Sequence, residues 1–472
     1  MEVLTKINSD EYSINTPINY IWIVIAFLLF EAVALVSSVI NPLYAIGIFV
    51  ASLLILYSIR NIFVGICILV FLHLLALRGT EQIDPGEIFF GIFLFLLLIT
   101  WFYDKKIVRG ERLLEDTMDY SLAIFFGICL FSLAPALIFG NSLLKWFREL
   151  VPFLGYLLYY PVKDTVNTLK RIKILGLCFL ILVVISGLVN IIQYQQLLGQ
   201  VSYFWEIEAS RQTPNEPFFL VSLIVSSAFF LYTKGLRRRL LSLGIVLFSG
   251  FALVVSFSRG YWVAAMVALV FVFVFVDLGK KLKVLVYIPL IILPAVIIAN
   301  MYLGNLKELF YHVVFERFTT LVDLQQDISL VNRFNEAKTL LTLCVVNPII
   351  GYGLGAMYSF HNILFGYTLR TWYTHNAFIF LLFKLGILGL LSFLIFYFNA
   401  IRKGFFNFKK LKNDWYQKSL SIGITCCLIS MIPLSFTSPQ FIQKNSILVI
   451  TLGSALIGVI HKKLRVRGFD GD

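Results

Sequence analysis

Long apolar runs, each closed by a short polar or basic segment, repeat from one end of the 472-residue chain to the other. Runs of about 17–25 residues are long enough for a helix to cross a hydrocarbon core of roughly 30 Å. On that basis the pattern predicts fourteen membrane helices, near 20–40, 42–59, 61–77, 87–103, 118–139, 147–162, 174–197, 217–233, 240–257, 260–277, 284–303, 376–400, 418–436 and 446–460. The segment near 147–162 is short and holds Pro152. One polar stretch is long, residues 304–374. The expected fold is all-α, a polytopic membrane bundle: spans 1–11 in residues 1–303, a large external loop at 304–374, and spans 12–14 with a basic tail in 375–472.

Composition agrees. The chain is 59% hydrophobic and only 14% charged, whereas ordinary soluble domains are nearer 45–50% apolar. The net charge of +13 sits in short clusters between apolar runs, at Lys105–Arg112, Lys163–Lys173, Lys234–Arg239, Lys280–Lys283, Arg402–Lys412 and Lys462–Arg467. That is the signature of cytoplasmic loops rather than of a nucleic-acid surface. With all six clusters on one side, both termini are expected in the cytoplasm. The first span follows Glu2, Lys6, Asp10 and Glu11, unlike a cleavable signal peptide, and reads as an uncleaved anchor. The six cysteines lack metal-ligand spacing and read as small core residues.

Basic residues placed outside or within the membrane oppose the topological rule. Among them are seven arginines: Arg78, Arg148, Arg211, Arg259, Arg317, Arg333 and Arg370. Arg259 lies in the very short loop "SFSRGYW" and Arg148 in "LLKWFRELVPF", both at a membrane boundary. An unpaired charge there is costly and points to a bound anion or a carboxylate, although a lone snorkelling arginine is equally compatible. In the large loop, "SLVNRFNEAKTLLTLCVVNP" places Arg333, Glu336, Ala337 and Leu340 at helical spacing, with Asn332 or Ser329 as cap and Asn347-Pro348 as stop. It predicts an amphipathic helix on the outer membrane surface. "GYGLG" at 351–355 permits a tight turn.

After that loop comes "THNAFIFLLFKLGILGLL", residues 374–391. On a continuous helix Gly386 lies about 20° from His375 and about 16 Å deeper, with Gly389 about 40° to the other side. The two glycines then form a smooth stripe for a neighbouring helix. His375 in the first turn meets the positive end of the helix dipole, which favours the neutral imidazole a general base needs. A capping histidine above a structural stripe fits the same residues. Lys384, on the opposite face, and Glu31, midway along the first span, need partners, either each other or groups elsewhere.

His375-Asn376, nine residues, Gly386, two residues, Gly389 resembles the His–Gly signature of the bacterial O-antigen ligase and polymerase family. Other pieces resemble it in the same order: "RQTPN" at 211–215, "SRG" at 258–260, and Arg333 followed by "NPIIGYGLG". Phe334 stands near where that pattern carries a tryptophan. The likeness covers most of residues 140–400, leaving the spans before and after nondescript. It implies a membrane glycosyltransferase in the bacterial cytoplasmic (inner) membrane, with its site on the outer face. The donor would be an undecaprenyl pyrophosphate-linked glycan, and the acceptor lipid A–core or another lipid-linked repeat unit. His375 would be catalytic, Arg211, Arg259, Arg333 and Arg148 would hold the pyrophosphate, and Asn376, Tyr373 and Asn215 would position groups. Trp205, Trp372 and Tyr373 are candidates to stack on sugars. No cofactor and no metal are expected: the one D-x-D, Asp470-Gly471-Asp472, lies in the tail. The alternative is a flippase for lipid-linked saccharides, against which stands the lack of an internal repeat.

Overall fold

The computed structural model describes residues 54–76, 85–198, 215–276 and 328–469, without positions 59, 257 and 364–365, and adds 279 and 281. The chain divides into two compact units, Met1–Leu113 with Asp164–Cys178, and Leu114–Lys163 with Phe179–Asp472.

In the first unit, α1 (Ile62–Ala76) packs against α2 (Pro85–Phe102), which runs on into a π-helical turn, Tyr103–Val108. Asp164 gathers that turn: its carboxylate accepts from Lys105 Nζ at 3.0 Å, Arg109 Nη2 at 2.6 Å and Trp101 Nε1 at 3.2 Å. Burial alone would raise this carboxyl, but the bonds to Arg109 and Lys105 prevail and hold it below the usual carboxylate range.

The second unit contains α3 (Thr117–Phe131), α4 (Leu133–Ile138), α5 (Leu143–Leu154) and α6 (Tyr159–Thr165). Helix α7 (Leu169–Leu198) enters it, and α8 (Glu216–Tyr232), α9 (Leu236–Val255) and α10 (Arg259–Phe275) follow. After α11 (Ile328–Val346) come two strands, β1 (Tyr358–Asn362) and β2 (Tyr367–Thr371), then α12 (Ala377–Lys410), α13 (Trp415–Leu434) and α14 (Lys444–Phe469). The core is α12, α13 and α14: α8 and α10 lean on α13, while α3 and α14 lean on α12. In α13 and α14, 78% of the spanning window is buried inside the protein, against 28% in α9, so the last two helices are an interior and not a lipid-facing tail. Serine and threonine are admitted there because their hydroxyls bond back to the same helix, as Thr425 does to Ser421 O at 2.6 Å and Ser419 to Trp415 O at 2.7 Å.

Among the described residues, seven helices are long and apolar enough to cross a membrane, with three shorter apolar helices, Ile62–His73, Glu216–Tyr232 and Arg259–Phe275. The all-α membrane class stands. The number fourteen is not established, since the spans expected near 20–40 and 284–303, and most of 42–59, lie outside the described residues. Three expectations change. The span near 147–162 is not one helix: α5 runs through Pro152 to Leu154, and a 3₁₀ turn (Gly155–Leu158) separates it from α6. Helix α11 includes Ser329 and Asn332, so neither is its cap; Asn332 Oδ1 instead accepts Ile363 N–H at 2.9 Å. The large loop also holds an antiparallel hairpin, Tyr358 opposite Thr371 through Asn362 opposite Tyr367. Alternating burial along "YSFHN" turns Tyr358 and Phe360 onto Leu340 of α11 and Phe383 of α12.

Candidate functional site

Asn376 ends the loop and starts α12. Its Oδ1 accepts Phe378 N–H and Ile379 N–H, both at 3.0 Å, so it is the N-cap. Its Nδ2 donates to Phe436 O at 3.2 Å, and Ala377 N–H donates to Ser435 O at 2.8 Å. The helix start is thus stitched to the chain leaving α13. His375 stands one residue before the cap, outside the first turn, which corrects the dipole argument. What controls its ring is a side chain.

That side chain is Glu336. His375 Nδ1 lies 2.7 Å from Glu336 Oε2, and the His375 backbone N–H points to the same oxygen at 3.4 Å. The carboxylate is nearly fully buried, while 36% of the His375 side chain is exposed. A carboxylate only accepts, so Nδ1 is the donor toward Glu336 and Nε2 is the ring nitrogen turned away from it. Tyr358 donates from β1 to the other carboxylate oxygen, and its oxygen is 2.6 Å from Tyr373 O. Burial first, and then Glu336, raise the Tyr358 hydroxyl far above the usual tyrosine range, so it remains a donor. The Tyr373 ring meets the His375 ring edge-on, with centroids 5.0 Å apart. Burial raises the Tyr373 hydroxyl to about 12; Arg333 opposes that shift and Glu336 adds to it, which sets Tyr373 beside both.

Arg333 and Glu336, three residues apart on α11, share a face. Arg333 Nη1 donates to Thr437 O at 2.9 Å. The segment 435–445 is the hub of this end of the bundle. It takes Arg333 through Thr437, Asn376 through Phe436, and the Tyr261 hydroxyl through Gln440 Oε1 at 2.8 Å. Tyr261 lies two residues after Arg259, the first residue of α10, so the start of that helix is held at the hub by its tyrosine. Asn445 Nδ2 donates to Asn215 Oδ1 at 3.0 Å, and Asn215 Nδ2 donates to Asn190 at 3.2 Å. Asn215 is therefore a buried tie between helices. Arg148 is half-buried on α5, next to Glu149. Arg211, Trp205 and Glu31 lie outside the described residues. The structure brings together His375, Asn376, Tyr373 and Arg333, and ties Asn215 to the hub; Arg259 opens α10, whose Tyr261 is bonded there. It adds Glu336 and segment 435–445, which the sequence had not marked as part of a site.

Beneath His375 the helix breaks. Gly386 has φ +67° and ψ −172°, so α12 is two helical pieces and the inferred smooth glycine stripe is replaced by a gap. Residues 348–353 fill it. Tyr352 N–H and Gly353 N–H donate to the freed carbonyls of Phe383 and Lys384, both at 2.9 Å, and Ile387 N–H donates to Pro348 O at 2.8 Å. Gly386 is glycine because the φ is left-handed and a Cβ would land on the Ile349 carbonyl. Gly389 lies in the second piece, where a Cβ would press into Leu385.

Lys384, fully buried just before the break, finds its partner in α5. Nζ lies 2.7 Å from Glu149 Oε1 and also donates to Ala356 O, while Glu149 Oε2 accepts Gly355 N–H at 2.6 Å. The ion pair thus clamps the glycine loop against the broken helix. Lys384→Met is expected to cost about 3–5 kcal/mol, because it strands a buried carboxylate. Adding Glu149→Gln, which keeps an acceptor for Gly355, is expected to recover at least about half of that loss. Thermal unfolding of the three variants in detergent reads the cycle; a double variant no more stable than Lys384→Met would sink this account of the clamp.

Compared with known families, residues 243–394 match the model described as O-antigen ligase. That similarity to the O-antigen ligase family covers about a third of the chain. No curated protein matches it. The matched stretch contains Arg259, Arg333, Glu336, His375, Asn376, Gly386 and Gly389. Glu149, Asn215 and the hub at 435–445 lie outside that stretch, on either side of it in sequence.

Proposed function

We propose that this protein is a membrane glycosyltransferase in which His375, oriented by Glu336, is the general base for an inverting, metal-independent transfer from a lipid pyrophosphate donor. The observation that carries the reading is the pair itself: one ring nitrogen tied to a buried carboxylate, the other left to accept a proton at a partly exposed position. An acceptor hydroxyl attacks the anomeric carbon of the donor sugar and yields its proton to His375 Nε2. The bond from that carbon to the pyrophosphate oxygen breaks, and undecaprenyl pyrophosphate leaves with the bonding electrons. A single displacement inverts the anomeric centre.

Charge builds on the leaving pyrophosphate, and arginine is suited to it because its planar fork binds phosphate oxygens in pairs. Arg333, which is fastened to the hub, Arg259 and Arg211 are assigned to it, with Arg148 in support. Asn376 acts by fixing the backbone beneath His375, and Tyr373 by packing against its ring. The reading places the reaction on the outer face of the bacterial cytoplasmic membrane. The acceptor is either lipid A–core or a second lipid-linked repeat unit.

The test is the carboxylate. Glu336→Ala is expected to lower kcat by roughly 10²-fold, with a smaller change in KM, because the imidazole loses its fixed tautomer and orientation. Glu336→Gln, which still offers an acceptor oxygen to Nδ1–H, should lie between Glu336→Ala and the wild type. Wild-type kcat in Glu336→Ala would remove the pair from the mechanism.

A further inference from the structure

At the other end of α12, most of its length away from His375, a cleft of about 630 Å³ opens between α3, α12 and α14. Its walls hold Asp116 and Tyr120 at the start of α3, Arg402, Lys403 and Phe406 on α12, and His461 and Arg465 on α14. None of these has a part in the transfer site.

Charge bookkeeping across these walls leaves an excess of one sign. Asp116 Oδ2 accepts from Lys403 Nζ at 2.7 Å and Lys163 Nζ at 2.9 Å, and Lys163 Nζ also reaches Asp119 Oδ1 at 2.5 Å. Two carboxylates and two ammonium groups thereby neutralise one another. Burial opposes ionisation of Asp116, but the two lysines prevail and hold its carboxyl well below the usual range. Glu115, also on the wall, is matched by Lys462 at 2.8 Å. Arg402 and Arg465 remain, both exposed and with no acidic partner among the described residues. His461 sits between them, its Nδ1 bonded to Asn407 Oδ1 at 3.1 Å; Asn407 Nδ2 is used on Ile457 O at 2.9 Å, so Nδ1 is the donor and Nε2 is the other polar atom of the ring.

Two guanidinium groups facing one cleft, with every nearby carboxylate already matched, suit a dianion. A phosphate monoester carries about −1.5 to −2 charges near neutrality and supplies three acceptor oxygens. Tyr120 and Phe406, 52% and 41% exposed, add apolar surface beside the cations. We infer that this cleft is a second ligand site, which binds a phosphate-monoester group through Arg402 and Arg465, supplied by a lipid headgroup or by a soluble phosphate.

The experiment uses the full chain in a non-ionic detergent and calorimetric titration with three probes: dioctanoyl phosphatidic acid, dioctanoyl phosphatidylcholine and inorganic phosphate. Phosphatidic acid is expected to bind once per chain, and Arg402→Ala/Arg465→Ala to weaken it at least about tenfold. Arg402→Lys/Arg465→Lys should retain most of the binding, and Lys412→Ala, outside the cleft, all of it. Phosphatidylcholine should bind at least about tenfold more weakly, its choline cancelling the charge. Inorganic phosphate that binds and is lost with the same arginines identifies a soluble ligand; phosphatidic acid binding without it identifies a headgroup. The proposal is overturned if neither phosphate probe binds, if the double alanine variant binds as the wild type does, or if Lys412→Ala weakens binding equally.

Discussion

Replacing His375 with alanine is expected to abolish glycan transfer, lowering kcat by about 10²–10⁴-fold, the range a positioned general base supplies. The protein should still reach the membrane. Asn376, not His375, caps α12, and the cap bonds to Phe378 and Ile379 are independent of the imidazole. Loss of the ring removes one of the donors to the buried Glu336 carboxylate and leaves the bond from Tyr358. His375→Asn separates the two effects. Its side-chain amide can donate to Glu336 in place of Nδ1–H but offers nothing in place of Nε2. Both variants should be inactive, with His375→Asn the more stable in thermal unfolding. An active His375→Asn enzyme would show that Nε2 takes no proton, leaving the residue only its bond to Glu336.

Gly386→Ala is expected to be the most damaging small substitution near the site. The alanine must adopt φ +67°, a left-handed conformation that costs an L-residue roughly 1–2 kcal/mol. Its Cβ also falls on the Ile349 carbonyl, which is backbone and cannot swing away. Relief requires the 348–353 loop to retreat, which breaks the bonds of Tyr352, Gly353 and Ile387, each worth about 0.5–1.5 kcal/mol net. The sum is about 3–6 kcal/mol, enough to unfold many domains of marginal stability. Activity should fall with it, because the same loop leads into β1 and so places Tyr358 against Glu336. Gly127→Ala is the control: nothing lies within 4 Å of its added methyl group, so unfolding should be unchanged or slightly later. Wild-type unfolding of Gly386→Ala would mean that the break in α12 is not obligatory.

The difference between these two glycines and the histidine above them shows what was legible from sequence. The spacing of His375, Asn376, Gly386 and Gly389 is local, and it marked the right stretch. The reason for Gly386 was not local. Helical periodicity presumes unbroken helix geometry, and the break exists because "NPIIGYGLG" enters from the preceding loop and supplies the donors and acceptor that the helix gives up. Glu336 was seen only as part of an amphipathic pattern; its role appears when α11 is laid against the start of α12. It is the only acid in α11, and that was the available signal. The partners Lys384 and Glu149 are 235 residues apart in sequence, which no period can connect. Each is nonetheless a charge inside an apolar stretch, and such charges seek one another. The hub at 435–445 was passed over because its flanks read as ordinary spans, although Gln440, Gln443 and Asn445 are a polar concentration between two apolar helices. The hairpin was hidden by its length: five residues a side is too short for alternation to stand out beside long helical runs.

The central claim is that the chain transfers a glycan and does not merely move one. The most direct test is a reaction of the purified wild-type protein in detergent, with EDTA, given its undecaprenyl pyrophosphate-linked repeat unit alone and then with lipid A–core added. The account predicts a longer glycan product in one of the two reactions, with the anomeric configuration of the donor linkage inverted. Unchanged donor in both reactions, from protein that carries the same donor across a reconstituted bilayer, would contradict it and establish a transporter.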